Sequence, residues 1–161
     1  MSVIEFAPKG HFSIRQFSLV ENGVTIGEID CGGIREQATI AIGGASFIAA
    51  REGIISGKFY LEADGVRLAS AERLSAWRGG FTVRAGAATY ALKSASWLGR
   101  AFVLTENDVT IGSIARQGFF SRKSKADLPD KLAPGLRAFL IWLVISMWQR
   151  QATIAATTSI R

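Results

Sequence analysis

Residues 17–29 read FSLVENGVTIGEI, and residues 102–114 read FVLTENDVTIGSI. Nine of the 13 aligned positions are identical, among them Phe17/Phe102, Leu19/Leu104, Val24/Val109 and Gly27/Gly112. The second copy starts about half a chain after the first. A likeness this dense, in a chain of 161 residues, is an internal repeat, and it restricts the possible folds more than composition does. Each copy alternates apolar with other side chains, breaks at Glu-Asn-Gly or Glu-Asn-Asp, and alternates again. That is the pattern of strand, two-residue turn, strand. Asn, Gly and Asp serve in such turns because they tolerate positive φ, so Glu21-Asn22 and Glu106-Asn107 read as turn chemistry. A third copy runs from Phe59 to Leu68 with Asp64-Gly65 at its turn, midway between the other two.

The chain is therefore expected to be a succession of hairpins with a period of about 42 residues. Strands are expected near 11–20, 24–30, 35–42, 46–51, 57–63, 66–72, 80–85, 88–94, 101–106 and 109–116, within a total of ten to twelve. Continuous hairpins with a duplicated half point to a mainly β fold. The expectation is one domain over 1–161: a closed antiparallel β-barrel of about 12 strands, built from similar halves at about 12–75 and 76–133. Closure removes the exposed edges that such a sheet would otherwise present.

A barrel of that size has a backbone radius of roughly 12 Å, of which inward side chains fill about 5 Å. A bore of roughly 7 Å radius remains, and something must plug it. The C-terminal segment qualifies. Pro134 suits a first helical turn. Leu136 and the run Ala138 to Trp148 are apolar at every angle, broken only by Ser146. A helix apolar all round lies in a core or in a membrane. A central helix is thus expected over about 134–150. Residues 151–161 are left open between an added strand and disorder. The alternative is a small membrane-anchored protein using residues 132–148 as a tail anchor. The apolar run of 11 residues is short against the roughly 20 a bilayer needs.

One Cys excludes an internal disulfide framework and a Cys-based zinc site, and one His excludes multi-His metal sites. His11 has no partner in sequence, and Cys31, before Gly32-Gly33, reads as a small packed residue. No Gly-rich phosphate loop of the Lys-Ser/Thr type occurs. The expectation is a protein without cofactor or enzymatic activity. The lone Cys and the absence of an apolar leader in Met1–Gly10 point to a cytoplasmic location, peripheral at a membrane if lipid is a partner. The net charge of +6 favours anionic partners. The candidate contact is Arg116, Phe119, Phe120, Arg122, Lys123 and Lys125, two adjacent aromatics among four cations, suited to an anionic phospholipid surface. The competing reading is one packed aromatic with hydrated cations, which leaves a module for protein partners. Nucleic acid is not expected, because it prefers aromatics on an open sheet face.

Two similar halves closing around an apolar C-terminal helix resemble the tubby-like superfamily. That group includes the tubby C-terminal domain, the LURP-one-related proteins and the phospholipid scramblases. The likeness is carried over roughly 12–150 by the Phe-x-Leu…Val-x-Ile-Gly-x-Ile hairpins, by Tyr90-Ala91-Leu92-Lys93 leading to Gly99-Arg100-Ala101-Phe102, and by the closing segment Phe139 to Trp148. The chain looks like a compact LURP-one-related member. The resemblance implies the barrel with its enclosed helix, and a binding or scaffold role that extends in tubby itself to phosphoinositides. The lipid-binding motif of tubby does not align here, so no residue is carried over from it. The chain also lacks the acidic Ca²⁺ loop, the Cys cluster and the Pro-rich N-terminal tail of scramblases.

Overall fold

The computed structural model describes residues 1–10, 15–32, 36–74, 79–96, 99–118 and 122–159. Twelve strands are followed by one helix: β1 (Ser2–Pro8), β2 (Gln16–Glu21), β3 (Val24–Cys31), β4 (Gln37–Ile42), β5 (Ala45–Arg51), β6 (Lys58–Ala63), β7 (Val66–Arg73), β8 (Gly80–Ala85), β9 (Ala88–Ser94), β10 (Ala101–Glu106), β11 (Val109–Arg116), β12 (Ser124–Leu128) and α1 (Pro134–Ser159). Every strand pairs antiparallel with its neighbours in sequence, and β1 pairs with β12, which closes the barrel.

The ten strands expected from the sequence are present, the first starting at Gln16 rather than near residue 11. The two that complete the expected twelve without a local turn to mark them, β1 and β12, are the pair that makes the seam, with Ile4 opposite Ala126 and Phe6 opposite Ser124. They escape a hairpin search because they are joined across the whole chain and share no turn. The repeat is also finer than two halves. The module β2–β5 recurs as β6–β9, and a third copy starts at β10. This last copy takes β1 in place of its fourth strand. All three modules carry a register shift at the same point, between Leu19/Val20, Leu61/Glu62 and Leu104/Thr105. The likeness of 17–29 to 102–114 spans two such steps.

Two-residue turns lie at one end of the barrel. Asn22-Gly23, Gly43-Gly44, Asp64-Gly65 and Asn107-Asp108 have positive φ at both positions, the geometry that matches strand twist in a tight hairpin. The Gly86-Ala87 turn has it at Gly86 alone. This is the turn end. The described residues of the connections that follow β1, β3, β5, β7, β9 and β11 lie at the opposite, loop end.

The helix enters at the turn end and leaves at the loop end. From Ala138 to Ile145 every residue is at most 2% exposed, so all faces of this stretch are in contact with the wall. The axis runs closest to β4 and β5. There the inward residues include Ala38 and Ala49, and the Phe47 ring lies against Gly135. A Cβ on Gly135 would come within 2.7 Å of that ring, which is why this helix start has no side chain. Elsewhere the wall supplies bulk. Phe59 meets Trp142 edge-on at 5.9 Å and Phe81 at 5.4 Å. At the loop end Trp148 stacks on Phe6 at 6.2 Å, and its indole Nε1–H donates to the Gly99 carbonyl at 2.7 Å. The indole thereby gains the partner that a buried tryptophan needs.

The helix does not stop near residue 150. It continues to Ser159, so the expectation of a strand or disorder after 151 is corrected. No Gly or Pro follows Trp148 to end it, and the enclosed turns have already met the nucleation cost. The hydroxyls of Thr153, Thr157 and Thr158 donate to the carbonyls four residues earlier, at 3.0, 2.9 and 2.9 Å. Residues 151–158 are exposed and project beyond the loop end. Urea denaturation should separate the two stretches. Trp142→Ala is expected to cost about 3–5 kcal/mol by leaving a cavity between helix and wall, while Ile154→Ala should change stability by less than about 0.5 kcal/mol.

Candidate functional site

The connection between β11 and β12 holds most of the sequence-predicted site, and the structure divides it. Arg116 is the last residue of β11 and lies opposite Ser124, a buried residue, so it belongs to the inward-facing set. Its guanidinium sits 4.5 Å above the Trp148 ring, where cation–π attraction and partial burial hold it at the barrel mouth. Burial, helped by the positive charge of Arg100, pulls its pKa below the usual arginine value. Lys125 is exposed on the other face of β12, between Ala115 and Glu5 in register. Lys123 lines an outer-wall depression of about 200 Å³ with Glu5, Phe6, Ala7, Ser18 and Val20. A guanidinium nitrogen of Arg122 donates to the Gly10 carbonyl at 3.4 Å and so ties this connection to the one after β1. Phe119 and Phe120 lie outside the described residues.

The topology also sorts charge along the barrel axis. Glu21, Glu62, Asp64, Glu106, Asp108, Asp127 and Asp130 lie at or beside the turn end, more than half of the chain's 13 acidic residues. Among the described residues the cations that start from that end are the Met1 amino group, Arg67, Arg84, Lys131 and Arg137; the Met1 amine pairs with Asp130 at 3.3 Å, Lys131 with Glu106, and Arg137 with Glu21 at 3.8 Å. Arg67 reaches back over the Tyr60 ring at 4.4 Å to bond Glu52 at 3.3 Å. The loop half holds the other described cations, including Arg15, Arg51, Lys58, Arg73, Arg100, Arg122 and Lys123. Several carboxylates of that half are already engaged. Lys9 bonds Glu28 at 3.0 Å, and Glu36 takes both Arg150, through two guanidinium nitrogens, and Arg51 at 3.8 Å. The Glu36–Arg150 pair also fixes the helix exit to the connection after β3. The result is a barrel with an acidic turn end and a strongly basic loop end, a charge separation that directs anionic partners to one pole.

One apolar feature at that pole was not anticipated. Ile54 and Ile55, in the β5–β6 connection, are 89% and 90% exposed. The connection is ordered at its base: Arg51 Nε donates to the Ser56 carbonyl at 2.6 Å, Ser56 Oγ to the Glu52 carbonyl, and the Glu52 amide to the Lys58 carbonyl at 2.7 Å. In sequence the other segments between alternate strand pairs repeat the pairing of a large apolar residue with a cation. Ile14-Arg15, Ile34-Arg35 and Trp77-Arg78 put a cation directly after a large apolar residue, and stretches 97–100 and 119–122 spread the pair over four positions. That signal was present in the sequence but could not be assembled without knowing that alternate connections share an end.

Comparison with protein-family models, with curated proteins and with solved structures finds no match for this chain. Among the described residues no group of three or more His, Cys, Asp or Glu side chains is placed to hold a metal ion. His11 lies outside the described residues. Cys31 is buried, and burial, with the nearby Asp30 charge, pushes its thiol up to about 12 from an ordinary 9.0. A thiol so placed is a packing group and a poor nucleophile. Ellman's reagent at pH 8 should leave Cys31 untouched in native protein and modify it fully in urea. The sign of the pH effect follows. Between about pH 9 and 12 the unfolded chain releases a proton that the folded one retains, so stability falls as pH rises through that window.

Proposed function

We propose that the chain is a non-enzymatic binding domain of the tubby-like kind, which associates peripherally with anionic phospholipid surfaces through the loop end of its barrel. The observation that carries this reading is the charge separation along the barrel axis. A basic pole facing an anionic leaflet gains about 1 kcal/mol for each Lys or Arg held near the surface, and the acidic pole then faces away. The barrel with its enclosed helix supplies a rigid base for the six connections, and loops on a rigid scaffold are the usual place for recognition. The stretch 132–148 favours this reading over a tail anchor, because Leu132, Leu136, Ala138–Ser146 and Trp148 are buried in the core, and no helix among the described residues is long and apolar enough to cross a membrane. Arg122, Lys123 and Lys125 are the lipid-facing cations of this proposal. Arg116 acts on Trp148 and holds the mouth.

Flotation with vesicles of phosphatidylcholine, alone or mixed with phosphatidylserine or phosphoinositide as the minor lipid, tests the proposal. Binding is expected only with the anionic lipids, weakening as salt is raised from about 50 to about 300 mM. Arg122→Ala/Lys123→Ala/Lys125→Ala should lower the partition coefficient by about 100-fold, from roughly 1 kcal/mol per removed charge. Absent or salt-insensitive binding would remove the lipid role and leave a module for protein partners.

A further inference from the structure

We infer that Ile54 and Ile55 form an insertion wedge that enters the boundary between headgroups and acyl chains of an anionic bilayer, so that the barrel stands with its loop end down. The inference rests on the proposed lipid association and names the element that makes apolar contact. Three observations support it. Among the described residues the two isoleucines are the most exposed large apolar side chains at the loop end, and they are adjacent. Their connection is held at the base by hydrogen bonds from Arg51 and Ser56, so the tip is presented by an ordered loop. Ordering before binding removes part of the entropy cost of docking. Lys58 is exposed at one end of the tip, Glu52 at the other is paired with Arg67 at 3.3 Å, and the basic pole lies around them.

Exposed apolar residues at the other pole do not compete for this role. Val24, Val66 and Val109 each follow a tight turn and are 60–62% exposed, but they sit among the acidic residues of the turn end. An anionic leaflet repels that surface. Ile154, 66% exposed on the projecting part of α1, lies at the same pole as the wedge. Its helix turns carry no charged side chain from Gln151 to Ser159, so the projecting stretch adds no charge repulsion to the approach of the loop end to an anionic surface. Charge selects which pole meets the bilayer, and the isoleucine pair then supplies contact that salt does not screen.

The test places an environment-sensitive fluorophore on the full-length protein. Cys31 is buried, so a cysteine introduced by Ile54→Cys or Val66→Cys is labelled selectively. The vesicles contain phosphatidylcholine and phosphatidylserine in a molar ratio of roughly 7:3, an anionic surface. On them a nitrobenzoxadiazole group at position 54 should shift to the blue, gain intensity and be quenched by spin-labelled lipid. The same group at position 66 should show none of these. Ile54→Ser/Ile55→Ser should lower partition at least tenfold and leave the unlabelled protein's thermal transition in place. A label at position 54 that reports water while the wild-type chain still floats with anionic vesicles overturns the wedge and leaves the electrostatic association standing. Failure of the wild-type chain to float overturns both.

Discussion

The fold depends on a mutual requirement between wall and helix. Twelve strands enclose more volume than their inward side chains can fill, and a helix apolar on every face cannot remain in water. Each completes the other: the helix fills the hollow of the wall, and the wall covers every face of the helix from Ala138 to Ile145. The fit is uneven and specific. Small inward residues on β4 and β5 let the helix approach, while Phe59 meets its Trp142 and Phe102 its Trp148 from elsewhere around the barrel. The same requirement positions everything outside the core. Trp148 can carry Arg116 and reach the Gly99 carbonyl only because the helix leaves through the loop end.

Much of this was legible in the sequence, for physical reasons. Strand alternation and turn chemistry are local signals, so the ten strands from β2 to β11 could be read around five turns, Asn22-Gly23, Gly43-Gly44, Asp64-Gly65, Gly86-Ala87 and Asn107-Asp108. The apolar run after Pro134 announced an enclosed helix because no single stripe of it is polar. The seam could not be read. β1 and β12 pair across the length of the chain, and Ile4 and Phe6 carry no mark of their distant partners. The end of the helix was hidden as well. Ala, Thr and Ile extend a helix that has already been nucleated, yet would scarcely form one unaided.

The candidate site shows a similar division. Clustered cations near 116–125 were visible as a run of sequence, but strand alternation sends Arg116 to the mouth and Lys125 to the outer wall. The polarity of the whole barrel was invisible until the connections were sorted by end. Described cations that look scattered along the chain fall largely on alternate connections and on the strand ends beside them, and an antiparallel barrel gathers these at one pole. Ile54 and Ile55 passed unnoticed for a related reason. In sequence they are two apolar residues beside strand β6, and only the ordered loop shows that they point away from any core.

The enclosed helix is the claim on which the other conclusions stand, and Trp142 reports on it most directly. Its indole is 1% exposed, between Phe59 and Phe139. In a chain carrying Trp77→Phe, Trp97→Phe and Trp148→Phe, the emission of Trp142 in detergent-free buffer should be blue-shifted and almost unquenched by iodide or acrylamide. Quenching close to that of free tryptophan, in protein that keeps its β-sheet circular dichroism, would contradict the account by placing the helix outside the barrel.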